Sequence, residues 1–368
     1  MNFELSEEQI FIAEQVRGLL SDNSSFDRLR MLIDENAEWD ERLWRQLAEL
    51  GFLSAAIPEE YGGMGLTDLD LGVVSIEIGR ANAAIPFFNA ISFAASFILA
   101  ADNDEVKQNW LPKIASGETV ATVAIGEGSR GWRPTSPGVR FRSGKLNGRK
   151  WPVFDGGIAD IAIVLVACEE ASALALVQLD QPGVERRKLE GFDQLRSAYE
   201  LDFIDAKAEL LACSATFDQI IDKAVIQLAF ESVGAAEACI HMAKDYAMDR
   251  SIFGRPLASY QAIKHRLADI LVQTEFARSS AYYAAWAVSG APEELSSAAA
   301  SCQLTALSAF ESAARENLQV HGGIGYTFEA NCHFYYRRER MNAALLGPRS
   351  YWADKIISQL ASPKVAKV

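Results

Sequence analysis

From Ser6 to about Ala115 the apolar positions recur at the three- and four-residue spacing of helices that bury one face. The pattern breaks at Ile57-Pro-Glu-Glu-Tyr-Gly-Gly-Met-Gly-Leu66, whose proline and glycines cannot continue a helix. Trp110–Glu118 reads as a helix end and its exit. From Thr119 to about Asp218 short β-branched runs, Thr119-Val-Ala-Thr-Val-Ala-Ile125 and Ile158-Ala-Asp-Ile-Ala-Ile-Val-Leu-Val-Ala167, alternate with Gly, Pro and charged turns, which predicts a small sheet domain. Beyond Phe217 long helical patterns return. The stretch Ala224–Met248 is apolar over most of its circumference, the mark of a helix buried in a bundle or between subunits. The expected organisation is a helical domain over 1–118, a sheet domain over 119–218 and a helical bundle over 219–368.

Composition narrows what such a chain does. Its 368 residues are 49% hydrophobic and 23% charged, the balance of a folded chain with a large core. A net charge of −14, with no Lys/Arg stripe, argues against nucleic acid as a partner. Any polyanionic ligand must then be held by local arginines or helix N-termini. Cys168, Cys213, Cys239, Cys302 and Cys332 show no CxxC or metal spacing, and His241, His265, His321 and His333 form no ligand set, so no metal is expected. The acidic start lacks the positive charge of a secretory signal and no apolar run reaches membrane-spanning length; a cytoplasmic location is expected.

Four motifs carry chemistry. The first is Trp44-Arg-Gln-Leu-Ala-Glu-Leu-Gly-Phe-Leu53, continued by the Ile57–Gly65 turn and Glu77-Ile-Gly-Arg80. The second is Asp249-Arg-Ser-Ile-Phe-Gly-Arg-Pro-Leu-Ala-Ser-Tyr-Gln261, the third Gln319-Val-His-Gly-Gly-Ile-Gly-Tyr-Thr-Phe-Glu329 leading into Tyr336-Arg-Arg-Glu-Arg340, and the fourth Leu146-Asn-Gly-Arg-Lys150 with Gly157-Ile-Ala-Asp160. Each alone has a bland explanation: a helix-ending glycine turn, an arginine capping a helix C-terminus, or structural ion pairs in the arginine-rich helix. As an ordered set they resemble the acyl-CoA dehydrogenases. That resemblance implies an α+β fold with an N-terminal α-helical domain, a middle β-barrel-like domain and a C-terminal four-helix bundle. It also implies a tetrameric flavoprotein with FAD, an acyl-CoA thioester as substrate and an electron-transfer acceptor. In the family the second and third motifs reach a neighbouring subunit's FAD, so the residues implied for the cofactor are Arg250, Phe253, Gln261, Gln319, His321, Gly322 and Gly323, with His321 positioning the Gly-Gly turn.

The family's reaction removes the α proton of a thioester by a carboxylate while a hydride leaves the β carbon for the flavin, so the base is the residue to find. Counting from Gly322-Gly323 to one family position lands on Leu346, and counting back from Phe253 to the other lands on Ala224. Asp222 is near, but two residues along a helix is a rotation of about 200°, so it reads as a surface or capping residue. Glu231 reads as a carboxylate buried against a partner group. Ile125-Gly-Glu-Gly-Ser-Arg-Gly-Trp132 keeps only Glu127 of the family's pyrophosphate loop, and Trp151-Pro-Val-Phe-Asp155 replaces its flavin-facing run.

The elements that serve a neighbour's flavin are thus present while those that serve the chain's own flavin are degraded. This combination is expected of the accessory subunit of a hetero-oligomeric dehydrogenase, in a family that includes enzymes for fatty-acid and steroid side chains. Two other readings are open. One is a self-sufficient, homo-oligomeric enzyme with a relocated base, Asp222 or Glu231. The other is a flavin-free CoA-ester binding or scaffold protein.

Overall fold

A computed structural model describes residues 4–169 and 171–361. In chain order the helices α1 (Glu7–Asn23), α2 (Phe26–Asp34), α3 (Glu41–Glu49), α4 (Asp68–Arg80), α5 (Ala95–Leu99, entered through a π-helical segment Phe88–Ala94) and α6 (Asp104–Ala115) come first. Strands β1 (Ala121–Ala124), β2 (Arg140–Arg142), β3 (Lys145–Phe154), β4 (Ile161–Cys168), β5 (Ala171–Gln178), β6 (Val184–Lys188), β7 (Ala198–Lys207) and β8 (Glu209–Leu211) follow. Then come α7 (Phe217–Asp249), the short strands β9 (Ser251–Ile252) and β10 (Arg255–Pro256), α8 (Gln261–Gly290), α9 (Leu295–His321), α10 (Cys332–Leu345) and α11 (Arg349–Ala361). No described helix is long and apolar enough to cross a membrane.

The described residues divide into two compact units that interleave along the chain. One comprises residues 22–71 and 84–224, the other residues 4–21, 72–83 and 225–361. In the first, the sheet runs β6-β7-β3-β2-β4-β5-β8, with β1 added parallel to β4. Residues Ile161 to Val166 of β4 are buried without interruption, which is why that strand reads as a continuous apolar run and not as an alternation. Local signals set the helix starts: Ser25 accepts from the Arg28 N–H, Asn103 caps α6, and Asp40 accepts from the Leu43 N–H while pairing bidentately with Arg28 at 2.7 and 3.0 Å. Aromatic rings fill the interior, with Phe88, Phe93, Phe97 and Phe217 in successive contact at 5.9, 5.4 and 5.5 Å.

The second unit is a bundle around α7. Every α7 residue from Val225 to Ala236 is buried, so the helix has no solvent face over that stretch. It crosses α4 with almost no side chain between the backbones. A Cβ on Gly79 would stand 1.9 Å from the Glu231 carbonyl oxygen, and one on Gly234 would stand 1.9 Å from that of Ile76. Ion pairs then tie the helices together. Glu77 takes Arg17 at 2.8 Å and Arg80 at 3.0 Å, and Arg80 and Arg278 both pair with Glu237. The motif Glu77-Ile-Gly-Arg80 is therefore a helix-crossing and ion-pair device. Among the described residues the C-terminal part of the bundle contains the five helices α7 to α11, in keeping with the expected C-terminal helical domain. Gly347, at a φ of 86°, and Pro348 separate α10 from α11.

Candidate functional site

The second and third motifs meet at one end of the helical bundle. Asp249 ends α7, and β9 and β10 form a hairpin whose two central residues, Phe253 and Gly254, have φ of 47° and 78°. Both positive angles define a type I′ turn, whose preferred first residue is Asn or Gly and not a bulky aromatic. Phe253 nonetheless occupies it and is 96% exposed in the isolated chain. Tyr260 closes the turn, donating to the Ile252 carbonyl at 3.1 Å beneath the Arg255 guanidinium, which lies 3.9 Å from its ring. Arg250 and Gln261 are exposed, and among the described residues Arg250 makes no ion pair.

Gln319, His321, Gly322 and Gly323 lie at the end of α9 beside this hairpin. His321 stacks on Tyr246 at 4.1 Å with 26° between planes, and its Nδ1 lies 2.8 Å from the Asn317 carbonyl oxygen. Gly322 has a φ of 66°, and a Cβ on Gly322, Gly323 or Gly254 would meet nothing within 4 Å. Gly325 is the glycine the turn itself requires, since a Cβ there would lie 2.6 Å from the Leu318 carbonyl oxygen. The surface thus offers a forked cationic donor, side-chain amides, a bare aromatic face and open glycine backbone. This donor set fits one side of a dinucleotide, with Arg250 for pyrophosphate and the glycine loop for a closely approaching adenosine. The polar groove of about 540 Å³ lined by α8, α9 and α11 is a different matter. Its three arginines are all paired, Arg266 with Glu316 and Arg349 with Glu311 at 3.1 Å and Arg315 with Glu311 at 3.9 Å, leaving no cationic surplus.

The two positions reached by counting to the family's base carry hydrocarbon. Leu346 is fully buried at the end of α10, where its carbonyl accepts from the Trp352 indole at 2.9 Å, and Ala224 is fully buried in α7. Asp222 corrects an expectation: it is only 2% exposed, not a surface residue. A rotation of about 200° does not carry Asp222 to the side of α7 that stays accessible, where Gln219 is exposed and Lys223 half-buried. Glu231 is also 2% exposed, accepts from Asn342 Nδ2 at 3.2 Å and lies 4.0 Å from Arg338. The arginine-rich helix is spent on similar pairs: Arg338 also donates to the Ala83 carbonyl at 3.3 Å, and Arg340 meets Glu311 at 3.1 Å and Glu339 at 2.5 Å. Burial pushes the Glu339 carboxyl up to about 7.

In the sheet unit Glu127 and Lys150 form a buried pair at 2.7 Å. Glu127 also accepts from the Gly138 N–H at 2.7 Å and the Val139 N–H at 3.3 Å, and Lys150 donates to the Ile125 carbonyl at 3.1 Å. Burial works against the charge on Glu127, but the Lys150 and amide hydrogen bonds prevail and hold its carboxyl below the usual range. Burial pulls Lys150 down to about 8 despite its partner. The pair closes the loop between β1 and β2. Sequence reading singled out Glu127 but missed Lys150, although period-two alternation from buried Leu146 already places it on the inward face. Trp151 is used internally: its indole lies so close over Gly128 that a Cβ there would stand 2.2 Å from Nε1. Asp155, which ends the same run, accepts from Asn89 Nδ2 at 2.6 Å.

Residues 6–118 match the family model of the acyl-CoA dehydrogenase N-terminal domain and residues 218–360 that of the C-terminal domain. Acyl-CoA dehydrogenase IpdE2 of Mycobacterium tuberculosis is 30% identical over 92% of this chain and 93% of its own length. The chain belongs to the acyl-CoA dehydrogenase family. A similar match is IpdE2 of Mycolicibacterium smegmatis, 29% identical over 94% of this chain and 96% of that one. Among solved structures, a chain of the ChsE4-ChsE5 complex from M. tuberculosis superposes with a TM-score of 0.90 at 26% identity over 98% of this chain and 99% of its own. A chain of the Tcur3481-Tcur3483 steroid acyl-CoA dehydrogenase does so with 0.88 at 28% over 96% and 98%. Family membership makes the chain an oxidoreductase type acting on CH–CH bonds, in the three-part fold of helices, sheet and helices.

Proposed function

We propose that this chain is the accessory subunit of a hetero-oligomeric acyl-CoA dehydrogenase, donating the trans half of an FAD site to a partner that supplies the base. The observation that carries the reading is the hydrocarbon at both family base positions, Leu346 and Ala224, each fully buried. Neither can accept the α proton of a thioester, so the acceptor belongs to another polypeptide. The exposed Phe253, Arg250, Gln261, Gln319 and the His321–Gly323 loop supply the complementary half. FAD, when bound, would supply the hydride acceptor in this chemistry. Arg250 would hold its pyrophosphate, Phe253 would cover an apolar edge, and the glycine loop would admit the adenosine half. Two of the similar structures, ChsE4-ChsE5 and Tcur3481-Tcur3483, are assemblies of two differently named proteins, and the latter is a steroid enzyme. A bulky acyl-CoA such as a steroid side-chain thioester is the substrate class this favours, with the reaction in the cytoplasm and a separate electron acceptor.

The test is turnover and flavin content of the purified chain, alone and co-expressed with a second dehydrogenase-type subunit. Alone it should show little dye-linked turnover and substoichiometric FAD, whereas the complex should be yellow and active. Full turnover by the isolated chain, abolished by Asp222→Asn or Glu231→Gln, would show that the base lies in this chain. A complex that stays colourless with added FAD would leave a scaffold role.

A further inference from the structure

The two loops assigned to the dinucleotide are about sixty residues apart in sequence, and one side chain connects them. Tyr246, in the last turn of α7, stacks on His321 at 4.1 Å, while its carbonyl accepts the N–H of Arg250 at 2.9 Å. Beneath this stack Ala243, Ala247 and Val320 are buried together, and Leu257, Ala258 and Ile263 from the other side of the hairpin pack on the same cluster with Tyr246. His321 is fixed at its far edge as well. A carbonyl oxygen only accepts, so the 2.8 Å contact to Asn317 places the hydrogen on Nδ1 and leaves Nε2 of the neutral ring as an acceptor. Asn317 is itself fully buried, with Nδ2 3.3 Å from the Met242 sulfur.

We infer that Tyr246 is a positioning residue that locks the Asp249–Gln261 turn and the Gln319–Gly323 loop into one surface by stacking on His321, and that His321 presents Nε2 to a hydroxyl or amino donor of the ligand's adenosine half. The ligand in this statement rests on the flavin reading above; the coupling of the two loops does not. Tyr246 is the titratable side chain stacked on the imidazole, and its ring, not its hydroxyl, makes the contact. The conservative change Tyr246→Phe therefore keeps the device, and Tyr246→Leu removes it.

The experiment uses the full chain and its Tyr246→Phe, Tyr246→Leu and His321→Gln variants. Amide hydrogen exchange is followed in residues 250–258, 320–327 and, as a control, 298–310 in the middle of α9. Loss of one aromatic stack should speed exchange roughly three- to tenfold in both loops and leave the control unchanged. Tyr246→Phe should match the unmodified chain, and His321→Gln should reproduce the Leu variant from the opposite side of the stack. With only four histidines in the chain, the His321 ring signal is separable by NMR, and it should lose its ring-current shift in Tyr246→Leu and keep it in Tyr246→Phe. Faster exchange in 250–258 with 320–327 unchanged, in both Tyr246→Leu and His321→Gln, overturns the coupling. So does an equal effect of Phe and Leu. FAD uptake by the co-expressed complex is measured in parallel: failure of the unmodified complex to take up FAD overturns the flavin reading, while the exchange data still decide the coupling.

Discussion

Phe253 separates stability from function in one substitution. It occupies the first central position of a two-residue hairpin at a φ of 47°, a conformation that costs a bulky L-residue about 1–2 kcal/mol and that Asn adopts readily. At 96% exposure the ring offsets none of this by burial in the isolated chain. Replacing it by Asn creates the preferred Asn-Gly type I′ pair. The hairpin should gain about 1 kcal/mol, which slows exchange of the amides of residues 251–257 about fivefold, since 1.4 kcal/mol is a factor of ten. Global unfolding in urea should be nearly unchanged, because the hairpin contributes little buried surface. In the assembled enzyme the same variant should lose FAD, because the aromatic face has gone. A Phe253→Asn chain whose hairpin exchanges faster would refute the strain argument. A complex that retains full flavin would show that the exposed ring serves something other than the cofactor.

Gly79→Ala should destabilise the chain by about 3 kcal/mol in chemical denaturation, because its Cβ meets the Glu231 backbone at 1.9 Å and only separation of α4 from α7 relieves it. Gly18→Ala, in α1 with nothing within 4 Å of the new Cβ, should instead stabilise by about 0.5–1 kcal/mol. Lys150→Met and Glu127→Gln should each cost about 3–5 kcal/mol, since one removes the partner of a buried charge and the other strands a buried ammonium; the double variant should cost less than the sum, which a double-mutant cycle reads directly. Glu339 gives a pH signature. Its folded value of about 7 lies above the ordinary carboxylate 4.5, so the folded state binds the extra proton and this group's contribution to stability falls as pH rises from 4.5 to 7. Glu339→Gln should therefore be relatively more stable than the unmodified chain at pH 8 than at pH 5; an unchanging difference across that range would contradict the assignment.

The order of helices, sheet and helices was legible in the linear pattern, because periodicity of 3.6 or 2 reports which face of an element is buried. The Gln319–Glu329 loop was legible for a similar reason: a cluster of glycines records a local backbone demand. Leu346 and Ala224 required only side-chain identity, since hydrocarbon cannot accept a proton wherever it is placed. Asp222 shows the limit. A helical wheel gives its angle around α7 but not what lies at that angle, and long-range packing buries it there while Gln219 and Lys223 keep some exposure. Gly347-Pro348 is a breaker signal in the sequence, but the packing of α11 against α9 beyond it is not.

By itself the sequence determined the element types and the turn chemistry, because each depends on neighbours within a few residues. Only the tertiary structure decided that Gly79 and Gly234 face opposing backbones, that Lys150 is sealed against Glu127, and that Tyr246 joins two distant loops through His321. Those are contacts between residues from about twenty to over a hundred and fifty positions apart. They exist because a folded core must fill space and pair every buried charge, a condition on the whole chain that no local window contains.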